Sequence, residues 1–288
     1  MWHRVRPLLL VFPLCAGCNA IVSPSEEQCA ADADCTARGF ENAVCSESVC
    51  VEAEEIDPVW ACLGSVTEPE PDPTKTVSFP IGLVYAIGGA PISSDAVIDV
   101  CDKLDVNCTG DDPKYPKGIN PGADGVVQVE VPEGFDGFVR ITDPGIVDSR
   151  VYVGRPLIEP PTVEQIQLLK PMEYTGLASL AMSEADPTRG SMIALAIDCN
   201  REAVSGVSFD VPSADDVAVP FYLINQAPVL PPNAIATDKD GFGGYFNLLP
   251  GGPVVKAFRA ADDAYIGESS FQILANTISY VLVGPTPL

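Results

Sequence analysis

Residues 125–142 constrain the fold most. Between Gly125 and Pro132 the chain places Val127, Val129 and Val131 in alternation with Gln128 and Glu130. A helix would scatter these valines around its axis, whereas a strand puts all three on one face and both polar side chains on the other. Period two with one wet face is the mark of a sheet that covers a core on a single side. Pro132-Glu133-Gly134 turns the chain, and Phe135 to Thr142 reads as the returning strand. The device recurs: Gly243 to Leu249 is a strand, Pro250-Gly251-Gly252 the turn, and Val254 to Arg259 the return. In both places a glycine stands seven residues before the turn proline. For 288 residues, 47% of them hydrophobic, one or two domains with packed cores are expected. The repeat predicts two tandem β-domains, 74–171 and 190–288. A connector, 172–189, lies between them. In it Leu177, Leu180 and Ala181 fall at i, i+3 and i+4 between Pro171 and Asp186-Pro187, giving two or three turns of helix.

The cysteines set the second constraint, through the compartment. Arg4 and Arg6, an apolar run from Pro7 to Leu14, and then Ala16-Gly17-Cys18 open the chain. A short basic stretch, a short apolar stretch and small residues before a cut describe a secretory signal over 1–17. The run reaches roughly 12 Å as helix, far short of a hydrocarbon core of roughly 30 Å. The longer stretch Val77 to Ile92 is interrupted by Pro80, Gly82, Gly88 and Gly89 and fits two strands joined by a glycine turn. Exported chains are oxidised. Beyond Cys15 and Cys18, the even set Cys29, Cys35, Cys45, Cys50, Cys62, Cys101, Cys108 and Cys199 reads as disulfides. Residues 18–51 are too few and too polar to bury a core and need staples; Cys29–Cys45 with Cys35–Cys50 is the first choice there. Cys101 and Cys108 flank a polar loop that a local bridge closes, and Cys62 with Cys199 follows by elimination. Thiolate zinc sites favour cysteines two to four residues apart; only Cys45 and Cys50 approach that spacing, so the reading names no metal ligand. Residues 52–73 form a linker. Its Glu68-Pro69-Glu70-Pro71-Asp72-Pro73 run is extended and stiff, and Trp60 before it is expected to seal the end of the first β-domain.

The only histidine is His3, inside the leader. Ser-His-Asp and Cys-His nucleophiles, histidine general bases and His-ligated zinc are thereby excluded. There is no P-loop, no Gly-x-Ser-x-Gly elbow and no Asp-Thr/Ser-Gly motif, so no cofactor is named. With 40 acidic residues against 16 basic ones, neither a nucleic acid nor polybasic contact with anionic lipid is expected. Asp238-Lys239-Asp240-Gly241 has only a fragment of a calcium loop and reads as a hairpin turn. Asp111-Asp112, Asp215-Asp216 and Asp262-Asp263 read as solvated loop charges. The catalytic chemistry that survives is the paired-carboxylate hydrolysis of glycans.

Three resemblances refine this. Ala16-Gly17-Cys18 resembles the lipobox of bacterial lipoproteins, which implies lipidation of Cys18 and, with Asn19 next, delivery to the outer membrane. Cys29-x5-Cys35-Thr36-Ala37-Arg38-Gly39, followed by Cys45 and Cys50, is similar to the small Cys-rich modules behind the signal peptides of myxobacterial envelope proteins. Thr237-Asp238-Lys239-Asp240-Gly241 and Phe246-Asn247-Leu248-Leu249-Pro250-Gly251, with Ile193 to Asp198 before them, resemble the carboxypeptidase regulatory-like (transthyretin-like) domain; Val97 to Cys101, Ala123-Asp124-Gly125 and Val131-Pro132-Glu133-Gly134 are a weaker version. The fold these imply is all-β: two tandem Greek-key β-sandwiches after a disulfide-stapled module. The function they imply is non-catalytic, a lipid-anchored envelope protein whose β-sandwiches make structural, adhesive or protein and glycan contacts. A carboxylate-based glycan hydrolase, or an accessory subunit of an envelope enzyme, is the alternative.

Overall fold

A computed structural model describes residues 28–40, 43–46, 48–52, 57–72, 74–161 and 165–287, so the leader and Cys18 lie outside the described residues. The chain divides into two compact units, Met1–Ile56 and Asp57–Leu288.

The first unit holds a short helix, α1 (Asp32–Ala37), and a hairpin of β1 (Ala43–Ser46) and β2 (Val49–Glu52). Asp34 reaches back to accept from the backbone N–H groups of Ala30 and Ala31 at 2.8 and 3.0 Å, which satisfies two donors at the helix start. These bonds hold its carboxyl below the usual carboxylate range. Cystines join Cys29 to Cys45 and Cys35 to Cys50, with Cα separations of 5.7 and 5.5 Å. They tie the helix and the segment before it to the hairpin. The Sγ atoms of Cys29, Cys35 and Cys50 lie within 4.8 Å of one another, but as cystine sulfurs they offer no thiolate to a metal. Since so short a segment has little else to hold it, replacing Cys29 and Cys45 by alanine is expected to cost about 3 kcal/mol. Limited proteolysis checks this, and an unchanged rate of cleavage within 28–52 would show that the staple is dispensable.

The second unit comprises β3 (Thr76–Tyr85), β4 (Val97–Asp102), β5 (Val126–Pro132), β6 (Gly137–Thr142), β7 (Ser149–Tyr152), β8 (Gln165–Leu168), the helix α2 (Pro171–Leu180), β9 (Gly190–Ala196), β10 (Val207–Asp210), β11 (Val219–Ile224), β12 (Ala227–Val229), β13 (Phe242–Leu248), β14 (Val254–Arg259), β15 (Ala264–Ser270) and β16 (Ile278–Val283). Eight strands form a central sheet in the order β12-β11-β13-β9-β16-β7-β6-β4. Two three-stranded sheets, β5-β3-β8 and β10-β14-β15, complete the set. The fold is all-β, as expected. The two halves share the central sheet. The C-terminal strand β16 runs parallel to β7 on one side and to β9 on the other, and so closes the central sheet across the halves.

Side-chain parity sorts the cores. Ile98, Val100, Val139, Ile141 and Val151 of the central sheet face the buried side of β3 and β5, where Val77, Phe79, Ile81, Val127, Val129 and Val131 lie. The intervening positions Phe138, Tyr152, Met192, Ala194 and Val281 pack on the opposite face with Val207, Phe209, Val255, Ala257 and Ile266 of the other small sheet. Each small sheet therefore contributes to a core on a different face of the central one. The helix α2 covers the rest of the first face, placing Tyr174 and Ala178 against Phe221, Phe246 and Ile278.

The turn after β5 does not make a hairpin. β5 pairs with β3, whereas β6 pairs with β4 and β7, so Pro132-Glu133-Gly134 carries the chain from the small sheet to the central one. Pro250-Gly251-Gly252 does the reverse, from β13 in the central sheet to β14 in a small one. The repeated device is a crossing between layers. Pro80 is tolerated in β3 because β8 joins only from Gly82 onward, leaving the first half of the strand paired on one side.

Three further expectations are corrected. The helix lies where the connector was expected, but its buried line is Tyr174, Ala178 and Ala181, while Leu180 is 66% exposed. The Tyr174 ring against Phe246 and its hydroxyl, 2.8 Å from Ser191 Oγ, set that face. Residues 57–72 are not a free linker. Asp57 caps a 3₁₀ turn (Pro58–Trp60), Cys62 is bridged to Cys199, and Asp72 N–H donates to Glu133 Oε1 at 3.1 Å. Finally, Trp60 is 5% exposed but joins the core formed with Met192, Ala194 and the β10-β14-β15 sheet, rather than closing the first half alone.

This packing leaves an alkaline signature. Burial, then the nearby Asp210 carboxylate and Tyr222, push the Tyr245 phenol from 10.0 up to about 12, and burial also raises Tyr152, Tyr174, Tyr222 and Tyr280. Below pH 10 the Tyr245 phenol is neutral folded or unfolded and its stabilisation is complete. Between pH 10 and 12 the unfolded chain ionises first, so stability falls, by about 2–3 kcal/mol for this phenol. Denaturant titrations at pH 9 and 12 should show the loss, and Tyr245→Phe should reduce the slope; an identical slope would assign it elsewhere.

Candidate functional site

A cavity of about 310 Å³ lies where the 57–72 segment, the loop after β7, the loop after β9 and the C-terminal residues meet. Covalent and backbone links assemble it. Cys62 and Cys199 are bridged along one wall, Cys199 N–H donates to Val59 O at 3.1 Å, and Ile197 N–H to Val283 O at 3.0 Å. Gly154 lines it with φ +79°, and a Cβ there would stand 2.5 Å from the Leu282 carbonyl oxygen, so only glycine allows this approach of loop to strand.

Two guanidiniums enter this space. Arg201 sits in the tight turn Asp198–Glu202 with φ +66°, a conformation a non-glycine residue adopts at a cost of about 1–2 kcal/mol. The turn is tied by Asp198, whose Oδ1 accepts from the N–H groups of Asn200 and Glu202 at 2.8 and 2.9 Å. Arg201 pairs with the exposed carboxylate of Glu159. Arg155 is half-buried, and among the described residues it has no hydrogen bond or ion pair. Burial, and next the like charge of Arg201, draw its pKa below the usual guanidinium value, with Glu159 and Glu68 only partly offsetting this.

Among the described residues the cystines are Cys29–Cys45, Cys35–Cys50, Cys62–Cys199 and Cys101–Cys108. Of these only Cys62–Cys199 reaches the cavity. Lys117 Nζ stands 3.0 Å from Cys108 Sγ. Asp238 is in a turn whose carboxylate accepts from Asp240 N–H at 2.9 Å and Asn225 N–H at 2.8 Å. The acidic doublets are not purely solvated, since one member of each is paired: Asp112 with Lys114, Asp215 with Arg189, Asp262 with Arg259. Sequence reasoning missed Arg155 and Arg201. For Arg155 the signal available was scarcity, because in a chain of 16 cations and 40 acids an arginine without an acidic neighbour in sequence deserves a partner in space; Arg201, followed by Glu202, carried no such signal.

No helix among the described residues is long and apolar enough to cross a membrane. No family model matches the chain, and no curated protein does either. Among solved structures it is similar to the Bacillus anthracis TIE protein, at 13% identity over 73% of this chain, with a TM-score of 0.22; the chain spans 34% of that protein. It is similar to BcpA, the major pilin subunit of Bacillus cereus (15% identity, 74% of this chain and 70% of that one, TM-score 0.23). A third likeness is to CBMbc, of family CBM26, from Eubacterium rectale Amy13K in complex with maltoheptaose (10% identity, 73% of this chain and 93% of that one, TM-score 0.24). Likenesses at this level carry no function across.

Proposed function

We propose that the chain is a non-catalytic cell-envelope protein, anchored to the outer membrane through a lipid on Cys18, that presents its β-sheet layers to an envelope protein or glycan. A cystine-stapled module of the myxobacterial type and carboxypeptidase regulatory-like sandwiches are the parts this reading assigns to it. One observation supports the non-catalytic reading. Carboxylate hydrolysis needs two acidic groups facing a common space, one to donate a proton and one to attack or activate water. Among the described residues two carboxylates line the cavity; Asp198 is spent on its own turn, leaving Glu268 single. The acyl chains supply the membrane affinity, at about 0.8 kcal/mol per buried methylene, so the acidic body need not touch lipid.

A glycan array probed with the exported chain, followed by a product assay on every glycan retained, tests this. Retention without turnover is the expected result; turnover that disappears on amidating one acidic side chain would establish the hydrolase instead. Mass spectrometry of the mature N-terminus tests the anchor, and an unmodified Cys18 would remove it.

A further inference from the structure

We infer that the cavity beside the Cys62–Cys199 bridge binds an acidic sugar, its carboxylate seated on the Arg155 guanidinium. This rests on the binding reading above for the choice of a glycan. A half-buried cation has lost part of its hydration, and a folded chain ordinarily restores the balance with a counter-ion. Here 40 acidic residues were available, yet no carboxylate lies within 4 Å of Arg155 among the described residues. The neighbouring Arg201 is engaged with Glu159 and adds its own positive field to the same space. An anionic ligand supplies what the protein withholds, and the planar fork of an arginine suits a carboxylate through two parallel N–H donors.

The rest of the wall selects the class. Ser65 and Thr67 offer hydroxyls, Glu268 offers an acceptor, and Val66 and Pro285 offer short apolar surfaces. That mixture complements a ring with hydroxyls on its edge and C–H groups on its face. About 310 Å³ lies at the small end of the range for ligand pockets. Among the described residues no aromatic ring lines the cavity, so the affinity is not argued from stacking. It rests on charge, which makes binding dependent on salt.

Calorimetric titration of the full exported chain with methyl glucuronide, methyl glucoside and a short peptide with a free C-terminal carboxylate tests this. The uronide is expected to bind at least about tenfold tighter than the glucoside, and Arg155→Gln to weaken it by at least about tenfold at an unchanged thermal midpoint. Arg155→Lys should retain part of the affinity, and raised salt should weaken the uronide alone; these two readouts hold if the glutamine variant misfolds. No uronide binding at about 10 mM, or binding indifferent to both Arg155 variants and to salt, overturns the proposal. So does peptide binding as tight as the uronide's and equally dependent on Arg155, which would make this a peptide-carboxylate site and leave the binding reading standing. Glycans retained on the array while the uronide ignores Arg155 would likewise sink this site alone.

Discussion

Replacing Cys62 and Cys199 together by alanine is expected to destabilise the Asp57–Leu288 unit by about 4–5 kcal/mol, through the closure entropy of a long loop. The bridge spans a sequence separation of 137 residues with a Cα separation of 5.7 Å. Everything from β3 to β9 lies inside that loop. Cutting it frees the start of the unit, where the packing of Trp60, Val59 and Leu63 and the bond from Cys199 N–H to Val59 O are left to hold residues 57–66 to the core. For a unit of this size, 1 kcal/mol moves the midpoint by about 2–4 °C, so thermal unfolding should shift down by more than about 10 °C. The double variant is the clean comparison, because a single replacement leaves a reactive thiol. Loss of one cavity wall should also abolish Arg155-dependent uronide binding. A midpoint within a degree or two of the parent would mean that the non-covalent contacts of Val59, Trp60 and Leu63 secure the segment without the bridge.

What was legible in the chain was whatever depends on near neighbours. The buried line Val127, Val129, Val131 follows from pleat geometry alone, and the count and spacing of cysteines in an exported chain leave few sensible pairings. What was hidden depends on partners far away. Nothing local in Ile278 to Val283 says that this strand lies between β7 and β9, and the turn at Pro132 looks the same whether it folds a hairpin or crosses to the next layer. The helix face was misjudged for the same reason: Leu177 and Leu180 have the correct spacing, but the surface that Phe246 presents chose Tyr174. The cavity was least visible of all. Arg155 and Arg201 are 46 positions apart, and only the bridge, the turn of Asp198 and the C-terminal residues bring them to one space.

Asn247 concentrates several of these nonlocal links, and Asn247→Ala is expected to cost about 3–5 kcal/mol. The register of β13 against β9 shifts between Tyr245 and Leu248, so one residue of β13 is left out of the ladder. Asn247 stands in that bulge with φ +58°, a left-handed conformation that asparagine tolerates better than most residues. The bulge turns its side chain, in a residue only 4% exposed, onto the connector. There its Nδ2 donates to Ser183 Oγ at 3.0 Å and to Glu184 O at 2.8 Å, while its Oδ1 accepts from Asp186 N–H at 3.0 Å. Its own carbonyl accepts from Arg189, which forks onto Asp215. Alanine would strand three connector groups, each at a cost of about 1–3 kcal/mol partly relieved by water, and would lose asparagine's better tolerance of the left-handed conformation. Glycine separates the two contributions, since it accepts the conformation but makes none of the bonds. Asn247→Gly should therefore be about 1 kcal/mol less damaging than Asn247→Ala, and denaturant unfolding of the pair reads the difference directly. If alanine costs under about 1 kcal/mol, the connector is held by α2 packing, with Asn247 incidental. If glycine matches the parent, the bonds contribute nothing and the asparagine is there for its backbone alone.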